Sequence, residues 1–201
     1  MATSAKTSTT KPVKPIDLSK PKAGRIDIVT VPERLILAID GVGQPPGGEF
    51  GDAIGALYSV SYTAKFDAKA RGLESPKVQM LECLWDMGPD NNAWKWRLFI
   101  SQMPPLDVRG VRRAIGLAAA TKPDPLYERL EVTRWKEGLC AQTLHVGPYD
   151  TVGTVYEQLE AGVARLGYRF AGTVHEIYMN DPGRVGPEKT KTIIRVPVAK
   201  A

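Results

Sequence analysis

Residues 138–167 read GLCAQTLHVGPYDTVGTVYEQLEAGVARLG, and this stretch decides the fold class. Its pattern predicts a strand over 138–146, a Gly-Pro-Tyr-Asp turn, and an amphipathic helix over 151–166 that Gly167 ends. A strand that leads through a Gly/Pro loop into a helix is the first part of a strand-helix-strand-strand unit. The segments on either side decide whether this unit occurs once or twice.

The remaining segments predict that the unit occurs twice. The expected elements of the first copy are strands at 26–29 and 34–40 separated by a turn at Pro32, a loop at 41–48, a helix at 51–71 ended by Gly72, and strands at 78–85 and 94–102. The elements that follow are a short helix at 108–121 and, after the stretch quoted above, a closing hairpin of strands at 171–179 and 190–198.

The order of these elements predicts an α+β fold of tandem duplicated strand-helix-strand-strand modules. Module one would occupy about 25–105 and module two about 130–198. The two modules would form an antiparallel sheet with helices on one face and a central groove where they meet.

The formal net charge of +5 belongs to the N-terminal leader. Residues 1–25 hold six basic residues and one acidic residue, so 21 basic and 21 acidic residues remain in the rest of the chain. Residues 1–24 are expected to be a disordered basic leader, and 25–201 the folded domain. Because the folded domain is neutral, nucleic acid is not an expected partner.

Several function classes are not expected from the sequence. No segment approaches the roughly 18 apolar residues of a membrane span, and the N-terminus lacks a signal-peptide core, so we expect a cytoplasmic protein without a membrane partner. No cofactor is expected, because no phosphate-binding glycine motif is present. Cys83 and Cys140 are expected to be buried thiols, and His145 and His175 lack a metal-binding spacing. The oligomeric state stays open.

A carboxylate and a phenol mark the strand predicted at 173–179. Alternation places Val174, Glu176 and Tyr178 on one face, and an unpaired buried carboxylate is costly. Glu176 therefore needs either a cross-strand ion pair, with Lys191 or Arg195 as candidates, or a ligand. Glu82 occupies the corresponding position of the first module, so the groove is expected to receive both carboxylates.

Aromatic residues could supply walls for such a groove. Trp85, Trp94 and Trp96 lie close together in the sequence, and their two interpretations are an aromatic core or a pocket for a flat or cationic molecule. Tyr149, in the Gly-Pro-Tyr-Asp turn, either caps the sheet edge or reaches over the mouth of the groove. Tyr58 and Tyr62 are expected on the buried face of the first helix.

Several ordered motifs together resemble one known family. They are His145-Val146-Gly147-Pro148-Tyr149-Asp150, Gly167-Tyr168, His175-Glu176-Ile177-Tyr178-Met179-Asn180-Asp181-Pro182, Pro187 to Thr192, Ala56-Leu57-Tyr58 through Tyr62, Lys65-Phe66, Leu81-Glu82-Cys83-Leu84-Trp85, Trp94-Lys95-Trp96 and Glu137-Gly138-Leu139-Cys140. Over roughly residues 26–198 the chain resembles GyrI-like small-molecule-binding proteins, and in particular a stand-alone branch that includes cyclopropanoid cyclopropyl hydrolases. The resemblance implies the tandem fold and a groove that binds amphipathic xenobiotics.

The resemblance also implies roles for residues. Glu176 would be the central, catalytic carboxylate together with Tyr178, and the substrate-binding residues would be Glu82, Trp85, Trp94, Trp96 and Tyr149. The implied function is hydrolysis of the cyclopropane of DNA-alkylating natural products, a detoxification. The alternatives are a multidrug-binding protein that sequesters its ligand without chemistry and a gyrase-interacting protein. Relatives often carry a second tryptophan where this chain has Asp86, so the pocket is expected to be more polar there.

Overall fold

The computed structural model describes residues 18, 20–45, 47–86 and 94–201. Most of the predicted leader, and residues 87–93 between the predicted strands at 78–85 and 94–102, lie outside the described residues. None of the described helices is long and apolar enough to span a membrane.

Seven strands and three α-helices make up the described part of the chain. Their bounds are β1 Asp27–Val42, α1 Glu49–Ala70, β2 Leu81–Asp86, β3 Lys95–Gln102, α2 Val108–Thr121, β4 Glu131–Val146, α3 Val152–Arg165, β5 Tyr168–Phe170, β6 Val174–Tyr178 and β7 Lys191–Lys200. All strand pairs are antiparallel. The predicted mixture of helices with an antiparallel sheet is confirmed, whereas the tandem duplication stays a prediction.

The sheet closes on itself, which the sequence did not predict. The strand order is β4-β1-β3-β2-β6-β7, and β7 pairs again with β4, so six strands form a barrel and β5 extends it beside β7. The helices cover the outer face. α1 and α2 pack on a large core that includes Leu37, Leu98 and Ile100, and α3 packs on a second core that includes Ile194 and Val196.

β1 is one continuous strand rather than the two predicted around Pro32. The pairs Val31↔Gly138 and Glu33↔Lys136 flank the proline on the β4 side, and pairing with β3 begins only at Leu35. Pro32 therefore lies where β1 has a single partner strand. A missing backbone N–H is tolerated at such a position.

The buried face of α1 is rotated from the predicted one. Small residues form most of it, namely Ala53, Ala56, Val60, Ala64 and Ala68. Tyr62, predicted to be core, is 47% exposed, and Tyr58 is half-buried. Because alanines let the helix approach α2 and the sheet closely, the large rings are displaced to its outer side.

We expect Gly41→Ala to lower the free energy of unfolding by about 1–3 kcal/mol, the usual cost of overpacking a core. Gly41 pairs with Trp96 across β1 and β3, and a Cβ there would lie 2.1 Å from the Trp96 ring. The indole cannot move aside easily, because it is 2% exposed and packs edge-on against Phe50 at 5.3 Å. Urea denaturation measures the change.

The matched control for this prediction is Gly55→Ala in the middle of α1. No atom lies within 4 Å of a Cβ at Gly55, so alanine should stabilise the helix by up to about 1 kcal/mol. An equal effect of the two substitutions would contradict the packing argument for Gly41.

Candidate functional site

Glu176 belongs to β6 and lies on the outer face of the barrel, where α1 and α3 pack. It pairs in register with Cys83 of β2, so its side chain is on the helix side of the sheet, as is that of Tyr178. The carboxylate is only 6% exposed. The predicted shared face of Glu176 and Tyr178 agrees with the hydrogen bonds that join them.

Two phenols donate to the two oxygens of this carboxylate. The hydroxyl of Tyr156, from α3, donates to Oε1, and that of Tyr178 donates to Oε2 at 2.9 Å. Burial first, and then the negative charge of Glu176, raises the pKa of both phenols. Both tyrosines therefore remain protonated donors, and Glu176 accepts.

No cation balances Glu176 within the described residues. Neither Lys191 nor Arg195 forms the predicted ion pair with it. The Arg195 guanidinium points to the barrel interior instead, where it donates to Gln142 Oε1 at 2.8 Å and lies 3.3 Å from Glu137. The cross-strand ion pair expected as one alternative is therefore wrong, because Arg195 lies opposite His175, not Glu176, in the β6–β7 register.

Aromatic rings border the carboxylate on the α1 side. Trp85 stacks on Phe50 of α1 at 5.5 Å and meets Trp94 edge-on at 5.5 Å. A hydrogen bond from Trp85 lowers the pKa of Tyr178, although burial and the charge of Glu176 outweigh it. Trp85 therefore links these rings to the hydrogen-bonded group around Glu176.

Tyr149 and Trp96 occupy opposite environments. Tyr149 follows β4 in a short 3₁₀ turn, is 40% exposed, and packs edge-on against Tyr178 at 5.9 Å. Trp96 is 2% exposed and belongs to the core. Tyr149 thus contacts a phenol that donates to Glu176, Trp85 is linked to the same phenol, and Trp94 contacts Trp85. Trp96 packs against Phe50 in the core.

Glu82 does not share a groove with Glu176, which corrects the prediction. It pairs with Ile177, so its side chain enters the barrel interior while that of Glu176 faces the helices. There it lies 2.8 Å from Arg34 and accepts a hydrogen bond from Ser101 at 2.7 Å. A register in which the two glutamates are offset by one residue necessarily sends them to opposite faces.

A polar network fills part of the barrel interior, and every strand of the six-stranded ring contributes to it. Its members are Arg34 of β1, Glu82 of β2, Ser101 of β3, Glu137 and Gln142 of β4, His175 of β6 and Arg195 of β7. We call this set the interior network.

His175 is the centre of the interior network. Its ring is fully buried, with Nδ1 2.9 Å from Glu137 and Nε2 3.1 Å from Glu82. The second contact is an ion pair rather than a well-aligned hydrogen bond, since Nε2 lacks a partner of suitable geometry. Phe99 and Trp135 pack against the ring at 5.3 and 5.6 Å.

The network shifts the protonation of its members. Burial lowers the pKa of His175, but the two carboxylates outweigh it and raise the pKa above the ordinary 6.5. Burial raises the pKa of Glu82, but His175, Arg34 and Ser101 outweigh it and lower the pKa to about 2. The pKa of Glu137 is lowered in the same way by His175 and Arg195.

We expect the interior network to stabilise the fold most between pH 4.5 and 6.5, the ordinary pKa values of its carboxylates and its histidine. The contribution of the carboxylates is complete above the lower value and is lost as the pH falls toward the depressed pKa of Glu82. The contribution of His175 is complete below the upper value and is lost as the pH rises through its elevated folded-state pKa.

Urea denaturation from below pH 4.5 to well above pH 6.5, with His175→Gln as the comparison, measures the effect. The variant should lack the alkaline loss that His175 causes in the natural sequence. Identical alkaline slopes for the two proteins would refute the assignment.

Tyr156 and Phe50 are site residues that the sequence did not single out. Tyr156 lies on the apolar face of the predicted helix, where a tyrosine is ordinarily a core residue. Phe50 precedes the predicted start of the first helix. The only available signal was an aromatic ring near the start of α1 and another near the start of α3.

A cavity with a volume of about 450 Å³ lies at one end of the barrel, lined by residues that include Asp40, Val42, Leu84, Arg97 and Thr173. Glu176 is not among its lining residues. At Glu176 itself, the hydroxyls of Tyr156 and Tyr178 occupy the polar positions. Each oxygen retains a second acceptor site, so a ligand group or a water molecule could bind the carboxylate beside the phenols or in place of one of them.

Comparison with known proteins agrees with this architecture. A sequence model of the GyrI-like small molecule binding domain matches residues 25–199. Among curated proteins, none matches the chain significantly. A solved structure described as a hydrolase from Listeria innocua is 32% identical, with a TM-score of 0.80, over 90% of this chain and 94% of that chain.

Two further structures are similar. An uncharacterized conserved protein from Listeria innocua is 31% identical, with a TM-score of 0.82, over 89% of this chain and 94% of that chain. The C-terminal domain of EcmrR is 14% identical, with a TM-score of 0.53, over 88% of this chain and 98% of that chain. At that identity the EcmrR domain shows a likeness of fold alone.

Proposed function

The chain belongs to the GyrI-like small-molecule-binding domain family, and from that premise we propose that it binds a flat, amphipathic organic molecule beside Glu176 and hydrolyses a strained, electrophilic ring in it. The observation that carries the proposal is the environment of the Glu176 carboxylate. This carboxylate is buried, hydrogen-bonded only to phenols, and balanced by no cation among the described residues.

A contrast within the same sheet supports this interpretation. Glu82 and Glu137 are equally removed from water, and each is paired with arginine and histidine. Burying an unbalanced charge is costly, so the chain retains Glu176 at the expense of stability. A carboxylate held in this way favours a cationic ligand or a water molecule from which it can take a proton.

The surrounding side chains suit a planar ligand. The half-buried Trp94 offers a ring for stacking or cation–π contact, and the exposed Tyr149 packs beside Tyr178. Trp85 is only 7% exposed and supports Trp94 from the core. Detoxification of cyclopropane-containing, DNA-alkylating natural products is the function that the resemblance to cyclopropanoid cyclopropyl hydrolases implies for such a site. A relative described as a hydrolase, 32% identical to the chain, supports hydrolysis over sequestration.

In the proposed reaction, water replaces one tyrosine hydroxyl at Glu176. The carboxylate takes a proton from this water, and the oxygen forms a bond to an electrophilic carbon of the cyclopropane. The carbon–carbon bond that breaks delivers its electron pair to the conjugated carbonyl, which becomes a phenolate. Tyr178 donates a hydrogen bond to the developing phenolate, and the proton held by Glu176 finally neutralises it, so the net change is addition of one water.

The decisive experiment is incubation with a cyclopropane-containing alkylator, followed by mass spectrometry of the small molecule. The expected product carries the mass of one added water, formed faster than in buffer. Binding without any added water would refute hydrolysis and leave the second candidate, sequestration of amphipathic cations. The unbalanced charge of Glu176 favours that candidate specifically, and it predicts that cations bind more tightly than neutral molecules of the same shape.

A further inference from the structure

Three aromatic rings stand in a row on α1, one helical turn apart. The centroids of Tyr58 and Tyr62 are 6.3 Å apart at an interplanar angle of 32°, and those of Tyr62 and Phe66 are 6.4 Å apart at 25°. Tyr58 is half-buried, whereas Tyr62 and Phe66 are 47% and 59% exposed. We call these three residues the aromatic row.

The inner end of the aromatic row adjoins the groove. Tyr58 packs against the same core as Tyr178 and Trp94. Burial raises the pKa of both Tyr58 and Tyr149, and the charge of Asp181 adds to the rise in each. The charge of Asp181 thus acts on one phenol of the row and on Tyr149, and Tyr58 and Tyr178 pack against the same core cluster, so the row begins on the face of α1 that packs over the Glu176 side of the sheet.

The area of the exposed rings decides what could cover them. An aromatic side chain has about 150–250 Å² of surface, so Tyr62 and Phe66 together expose on the order of 200 Å². A stable protein interface needs about 800 Å² from each partner. The flanking surface is polar, with Ser59, Thr63 and Lys69 on the same helix. The row therefore fits a small planar group rather than a second protein.

We propose that the aromatic row is an outer subsite of the groove, which stacks a second planar aromatic unit of an elongated ligand whose first unit lies beside Glu176. Asp181, more than half exposed and ion-paired at 3.2 Å with the still more exposed Arg184, acts electrostatically on Tyr58 and Tyr149 and favours a cationic or donor-bearing linker that can replace Arg184. This inference rests on the proposed groove binding, but it does not require hydrolysis.

Two probes test the subsite by calorimetry. The short probe is N-methylquinolinium, and the long probe is the same cation joined through a flexible alkyl linker to a naphthyl group. A series of linkers is compared, beginning at about 12 Å, the rise of α1 from Tyr58 to Phe66 at 1.5 Å per residue, and extending further because the first unit lies beside Glu176. We expect the long probe to bind about two- to tenfold more tightly for each additional ring it stacks on.

The double variant Tyr62→Gln with Phe66→Gln should remove this advantage and leave the short probe unchanged. Glutamine preserves helix propensity. Leu117→Gln on α2, another apolar residue of an exposed helix surface at 38% exposure, is the matched control and should preserve the advantage of the long probe.

Three results would overturn the subsite. One is equal affinity of the two probes for the natural sequence, and another is a long-probe advantage that survives the double variant. The third is a dimer in sedimentation that the double variant dissociates, which would make the row an interface between copies. Failure of the underlying groove is distinguishable, because then neither probe binds the natural sequence.

Discussion

We expect Glu176→Gln to lower turnover of a cyclopropane-containing alkylator by about a hundred- to ten-thousand-fold, the usual contribution of a general base. Glutamine has the same shape and can still accept from one of the two phenols, but it cannot take a proton from water. Binding of neutral planar ligands should be nearly intact. Cationic ligands should bind about ten- to a hundredfold more weakly, because a charged hydrogen bond contributes about 1.5–3 kcal/mol.

The folded state provides an independent readout of the same variant. Glu176→Gln removes a buried charge that no described cation balances, so its free energy of unfolding should not fall. Glu157→Gln, at an exposed position of α3, is the control and should change neither turnover nor affinity. Undiminished turnover in Glu176→Gln would exclude this carboxylate as the base.

Alternation along a single strand was easier to predict from the sequence than the pairing between strands. Alternation placed Glu176 and Tyr178 on one face correctly, because that inference needs only the period of a single strand. The partner of Glu82 depended on how β2 pairs with β6. That register is offset by one residue from the predicted symmetry, and no local signal specifies it.

Barrel closure and the interior network could not be predicted either, because they also depend on which strands pair. Closure requires β4 to pair with both β1 and β7, and the residues that pair are far apart in the sequence. Glu137 and Arg195 look like ordinary surface charges in strands of mixed pattern.

The bounds of the helices were easier to predict, and α2 has the predicted bounds. The buried face of α1 was not predicted correctly. The sequence of α1 contains both small and large apolar residues, and close packing against α2 and the sheet favours a buried face of small residues.

The interior network gives the second large expected effect, which is on stability. We expect Glu137→Gln to lower the free energy of unfolding by about 3–5 kcal/mol, the cost of breaking a buried ion pair. The Glu137 side chain is fully buried and lies 2.9 Å from His175 and 3.3 Å from Arg195. Without the charge of Glu137, Glu82 is the one carboxylate of the interior network that balances His175, Arg195 and Arg34.

An exposed ion pair between β1 and β4 supplies the control. Glu33 of β1 forms an ion pair with Arg134 of β4 at 3.4 Å, and both side chains are at least half exposed. Glu33→Gln should therefore cost less than about 1 kcal/mol. Urea denaturation near neutral pH compares the two variants. Equal, small losses would mean that the charges inside the barrel do not stabilise it, since only burial distinguishes the two glutamates.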